Sequence, residues 1–194
     1  LEAPKGRLIL PQVQAIRDLL DGDAICLVVK EHGLRAALER LTHPPALVVT
    51  DSQAFREVAA ATPPEVPMTS FSILMARQKG DLGHFVEGAA AIDRLRPGDR
   101  VLIAEACTHH PFADDIGRVK LPRWLNEKVG GELRFDTISG HDFPDDPSEY
   151  KLVVHCGACM WNRREMLARQ ARCRQAGAPI CNYGVTIAYA FGIL

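Results

Sequence analysis

Val101-Leu102-Ile103-Ala104, with Cys107-Thr108-His109-His110 close behind, and Leu152-Val153-Val154, with His155-Cys156-Gly157-Ala158-Cys159 directly behind, decide the architecture. Each opens on a short, continuous apolar run, the pattern of a strand buried on both faces of a sheet. Working outward, helical patterns alternate with further runs of this kind. Ahead of the first lies a helix over Phe85–Leu95, ended by Pro97-Gly98. Between the two lie a helix over Pro122–Val129, with Pro at its start and Gly130-Gly131 after its end, and a strand over Leu133–Ser139. A long helix over Met160–Gln175, ended by Gly177, and a terminal helix over Val185–Phe191 complete this half.

The N-terminal half reads in the same way. Ala24-Ile25-Cys26-Leu27-Val28-Val29 predicts a buried strand, with Cys26 packed in the core. A helix over Gly33–Leu41, a strand over Ala46–Thr50 and a helix over Gln53–Ala61 follow, with Asp51 or Ser52 as cap. Val66–Ser72 predicts a third strand and Ile73–Gln78 a short helix. Strands alternating with helices predict an α/β protein. The expected organisation is two small parallel-sheet α/β domains with helices on the sheet faces, residues 1–80 and 81–194, hinged at Lys79-Gly80-Asp81.

Composition narrows the function classes. The chain has 194 residues, 47% of them hydrophobic, which suits folded domains rather than a disordered chain. With 23 basic against 24 acidic side chains, the net charge is -1, and the basic surplus of a sequence-independent nucleic-acid binder is missing. No apolar run reaches the ~20 residues of a membrane helix, so no membrane partner is expected. The start, Leu1 to Gly6, is neither a signal peptide nor an initiator context, and the chain reads as a piece of something longer. The phosphate-binding loop, the dinucleotide fingerprint and the Ser nucleophile elbow are all missing from the sequence.

The six cysteines carry the chemistry. Without a secretory signal, clustered cysteines point to a reducing, cytoplasmic compartment and to metal or redox chemistry rather than to disulfides. Cys107 and the Cys156-x-x-Cys159 pair each follow a strand, and in a parallel sheet such positions share one edge. Cys156 and Cys159 are expected at the N-terminus of the helix from Met160, where the helix dipole favours thiolate. A thioredoxin-like dithiol would leave Cys107 and the flanking histidines without a role. Three thiolates with one imidazole suit zinc, and three thiolates also suit an iron–sulfur cubane with one iron lacking a cysteine. Spacing does not decide between them. Cys173 and Cys181 lack metal-like spacing and read as structural thiols. Asp115 reads as a cap or loop charge, and the arginines of the long helix, from Arg163 to Arg174, as a solvated face.

The ligand pattern Cys107-x-His109 … His155-Cys156-x-x-Cys159 resembles the cluster-binding signature of the [FeFe]-hydrogenase maturation GTPase family, HydF. Leu8-Ile9-Leu10-Pro11-Gln12, Val49-Thr50-Asp51-Ser52-Gln53, Thr69-Ser70-Phe71-Ser72 and Asn182-Tyr183-Gly184-Val185 resemble the same family. The resemblance implies a dimerisation domain followed by a cluster domain, with Cys107, Cys156 and Cys159 holding a [4Fe-4S] cluster. His109, His155 and Asp114 are then candidates at the fourth, exchangeable iron. It further implies a scaffold or carrier rather than an enzyme. Such a carrier is a homodimer that takes a diiron precursor as transient cargo and works with apo-[FeFe]-hydrogenase and radical-SAM maturases. The family's GTP hydrolysis is not carried over, because the phosphate-binding loop is missing from this sequence. A structural zinc-binding interaction domain is the main rival, and an enzyme using an open iron as Lewis acid is the second.

Overall fold

A computed structural model describes residues 8–106 and 115–194. The protein is α/β, with one two-stranded and one four-stranded sheet, both parallel. It forms two compact units, 1–71 and 72–194.

In the first unit, helix α1 (Leu10–Asp21) precedes the short helix α2 (Leu34–Leu38), strand β1 (Val48–Thr50), helix α3 (Phe55–Ala61) and strand β2 (Met68–Ser70). Val48 pairs with Met68 and Thr50 with Ser70. Leu34, Val48, Val58 and Val66 form a small core, and Ser52 donates to Ser70 through a buried hydroxyl contact of 2.9 Å. The sequence reading is corrected here at residues 24–29. They form no strand, Ile25 is 98% exposed, and Leu27, Val28 and Val29 are exposed as well. Cys26 is half-buried rather than in the core. An apolar run signals burial without saying which surface provides it.

In the second unit, helix α4 (Phe71–Lys79) enters from Ser72 onward and is followed by helix α5 (Leu82–Ala89) and strand β3 (Arg100–Glu105). Then come helix α6 (Leu121–Val129), strand β4 (Arg134–Ser139), strand β5 (Leu152–His155), helix α7 (Arg163–Ala176), strand β6 (Ile180–Asn182) and helix α8 (Tyr183–Ala190). The compact units divide between Phe71 and Ser72, within the first turn of α4. Arg163 Nη1 donates to the carbonyls of Gln78 at 2.9 Å and Gly80 at 2.8 Å, and Ser72 Oγ donates to Asn182 Oδ1 at 3.1 Å. These bonds fasten both ends of α4 within the second unit.

The larger sheet has the order β4-β3-β5-β6. Val101–Ala104 and Leu152–His155 are completely buried, as strands covered on both faces must be. Chain order runs outward from β3 to β4 on one side and from β5 to β6 on the other. The crevice at the C-terminal ends of β3 and β5 is therefore the switch point where such sheets bind ligands. Strand β6 was not anticipated from the sequence. It is three residues long, and Gly88 allows α5 to pack directly on it: a Cβ at Gly88 would lie 1.9 Å from the Ile180 carbonyl oxygen.

Candidate metal centre

The crevice brings the C-terminal end of β3, as far as Ala106, beside Cys156 at the end of β5. Ala104 is in register with His155, and Cys156 N–H extends the pairing by donating to the Ala104 carbonyl at 2.9 Å. Cys156 Sγ then accepts from Ala106 N–H at 3.0 Å, one peptide bond before position 107. Cys107, His109, His110 and Asp114 themselves lie outside the described residues. Among the described residues, no group of three or more His, Cys, Asp and Glu is arranged to hold a metal ion. Asp115 caps the turn that leads into α6, its Oδ1 accepting from Arg118 N–H at 2.9 Å.

Cys156 directly follows β5 and Cys159 lies in a turn, and neither is on the first turn of a helix. Asn162 caps α7 by accepting from Glu165 N–H at 3.0 Å, so the helix starts at Arg163 rather than Met160. The expected dipole assistance to both thiolates is corrected accordingly. What shapes the turn is Ala158, a buried non-glycine residue at φ +49° whose carbonyl accepts from Trp161 N–H at 2.9 Å. Such backbone persists only where the surroundings hold it.

His155 is fully buried, and both its ring nitrogens are engaged. Nδ1 lies 2.8 Å from the Cys156 carbonyl oxygen, and Nε2 lies 3.0 Å from Arg169 Nη1. A carbonyl takes only a donor and a guanidinium offers only donors, so the imidazole is neutral with its proton on Nδ1. Burial, aided by the Arg169 charge, pushes its pKa down to about 3 against the opposing bond to Cys156. In this arrangement the imidazole orients the Cys156 peptide, and its ring nitrogens are committed to protein partners.

Arg169 was the residue that sequence reasoning missed. It reads as one arginine of a solvated face, yet only 1% of it is exposed. It sits between aromatic rings, 4.1 Å from the Trp161 centroid and 4.7 Å from that of Phe143. Its Nη2 donates to the Gly140 carbonyl at 2.6 Å. Met166, Arg169, Gln170 and Cys173 form the buried face of α7 at helical spacing, and this period was the available signal.

Beside the crevice two further polar groups are buried without a hydrogen-bond partner among the described residues, Asn182 Nδ2 and Tyr183 Oη. Asn182 Oδ1 is used as the α8 cap, accepting from Gly184 N–H at 2.8 Å, which leaves Nδ2 as a spare donor. Tyr183 Oη rests against Gly117, where a Cβ would lie 2.2 Å from it and 3.0 Å from Glu105 Oε1. Burial, then the Cys156 and Glu105 charges, raise the phenol well above its usual pKa, so it stays a donor. Cys173 and Cys181 are buried thiols pushed up to about 12 by desolvation, which keeps them from forming thiolate. The partly accessible thiols of Cys156 and Cys159, with two spare donors and a buried cation, fit an anionic, sulfur-ligated group.

No helix among the described residues is long and apolar enough to cross a membrane. A search of curated proteins finds no match to the chain. Family models do match: the hydrogen maturase F dimerization domain over residues 1–80 and the hydrogen maturase F tetramerization domain over residues 83–194. The first is the part with the exposed apolar stretch, and the second holds the Cys156 crevice. With almost its whole length accounted for by these two self-association domains, the chain belongs to the hydrogen maturase F family and to hydrogenase maturation.

Proposed function

We propose that this chain is a scaffold and carrier that holds a [4Fe-4S] cluster on Cys107, Cys156 and Cys159 and passes a diiron precursor to apo-[FeFe]-hydrogenase. The observation that supports this most is the Ala106 N–H donating to Cys156 Sγ at the mouth of the β3–β5 crevice. It brings the chain leading to Cys107 to the sulfur of Cys156. When bound, the cluster supplies one iron without a cysteine ligand. His109 and Asp114 are candidates to occupy that position reversibly. His155 keeps the Cys156 peptide in place instead, because both its nitrogens already have partners. Asn182 and Tyr183 can donate to sulfur or to an incoming anionic ligand. Delivery of cargo, with radical-SAM maturases upstream, then needs no side chain that performs covalent catalysis.

Anaerobic reconstitution with iron and sulfide tests this reading. The expected product is brown, with iron and sulfide in equal amounts and an EPR signal on reduction that shifts when cyanide is added. A colourless protein that takes up zinc in place of iron would support a structural zinc domain.

We place the dimer surface on the first unit, which lies within the matched dimerization domain. The exposed side chains of Ile25, Leu27, Val28 and Val29, on backbone paired to no strand among the described residues, are a ready template for a second copy. Ile25→Asp with Val28→Asp is expected to halve the mass of the assembly in sedimentation. An unchanged mass would move the interface elsewhere.

A further inference from the structure

We propose that Arg169 is the positioning residue of the cysteine centre and its buried counter-charge: it fixes the Cys156 peptide through His155, and it favours an anionic group bound at Cys156. This rests on the cluster reading of the preceding subsection.

A buried cation is costly unless paired, and removal of its charge from water is recovered only by close partners. The partners of Arg169 are a neutral imidazole, the Gly140 carbonyl and two aromatic faces. Glu165 approaches Nε at 3.7 Å, beyond hydrogen-bond reach, and it is partly exposed. Among the described residues, Arg169 Nε makes no hydrogen bond. Among the described residues the carboxylate that meets this charge is therefore a partly exposed one at 3.7 Å, and the guanidinium reaches Cys156 through His155.

The geometry also explains why the residue is an arginine. Its planar fork reaches two acceptors on different segments, the ring of His155 at the end of β5 and the carbonyl of Gly140 after β4. The His155 bond continues through Nδ1 to the Cys156 carbonyl at 2.8 Å. Arg169 thus sets the ring orientation, the ring sets the peptide, and the peptide carries the thiol. Outer partners of metal ligands work in this way. A cubane on three thiolates is anionic, and one-electron reduction makes it more so. A fixed positive charge nearby favours the reduced form.

The test uses the full chain with Arg169→Met and Arg169→Lys. In the metal-free protein, the nitrogen chemical shifts of His155 report the tautomer. After anaerobic loading with iron and sulfide, an EPR-monitored titration reports the reduction potential. Wild type is expected to show a single Nδ1–H tautomer. Arg169→Met should mix the tautomers and lower the oxidised-to-reduced balance point at least tenfold, equal to about 59 mV for one electron. Arg169→Lys keeps the charge but lacks the fork, so its potential should stay near wild type while the tautomers mix. Folded, loaded Arg169→Met with an unchanged potential and an unchanged His155 spectrum would overturn the proposal. If Arg169→Met does not fold, a single tautomer in Arg169→Lys overturns it. If wild type takes up no iron, the cluster reading fails, and the metal-free spectra still decide whether Arg169 positions His155.

Discussion

Cys156→Ser protein, reconstituted with iron and sulfide, is expected to hold little or no cubane, and Cys107→Ser and Cys159→Ser should behave alike. The Cys156 sulfur accepts from Ala106 N–H, so its position is built by the sheet and not by a free side chain. Serine at this site offers a poor ligand to iron, and two remaining thiolates would leave half of the four irons without cysteine. Losing a mere outer hydrogen-bond partner of a metal ligand costs roughly 10–100-fold in affinity, and losing the ligand itself should exceed that. Cys173→Ser is the control. Its thiol is buried and pushed up to about 12, so it offers no thiolate at neutral pH. Iron and sulfide analysis after desalting separates the outcomes. If Cys173→Ser lost as much iron as Cys156→Ser, the assignment would be wrong.

The largest effect on stability is expected at Gly88. A Cβ there would meet the Ile180 carbonyl oxygen at 1.9 Å and the carbonyl carbon at 2.6 Å. Both are backbone atoms of β6, so no side chain can swing aside. Helix α5 would have to lift from the sheet, opening a core that includes Phe85, Ile180 and Val185. Overpacking typically costs about 1–3 kcal/mol, and a backbone clash belongs at or above the upper end. Gly88→Ala should lower the melting temperature of the second unit by roughly 10 °C. Gly33→Ala is the comparison, because a Cβ there meets nothing closer than Val29 Cβ at 4.0 Å. Urea unfolding of both variants measures the difference. Equal midpoints would mean that α5 does not sit on β6 as described.

Much of the second unit was legible because its central strands are continuous apolar runs. Val101–Ala104 and Leu152–Val154 have one plausible environment, a sheet covered on both faces. Strand β6 was harder, since Ile180-Cys181-Asn182 is short and its partner β5 is distant in sequence. The run Ala24–Val29 shows the opposite failure. Its composition is that of a core strand, but hydrophobicity reports a preference for leaving water and not the molecule that supplies the cover. At the proposed centre, the cysteine spacing is the feature that points to metal, because clustered thiolates have few other uses. The part played by Arg169 could not be read, since five arginines of one helix look alike until packing selects one of them.

The exposed stretch from Ile25 to Val29 bears on how this protein responds to dilution. Where a small core such as that of Leu34, Val48, Val58 and Val66 is completed by a second copy, folding and association become one equilibrium. Each tenfold dilution then removes about 1.4 kcal/mol of driving force from the assembled state. The first unit would melt at a temperature that follows protein concentration, while the four-stranded unit, with its own covered sheet, would keep a melting point of its own. In a cell, the amount of this protein would thus set not only how much scaffold is present but what fraction of it is folded at its N-terminal end.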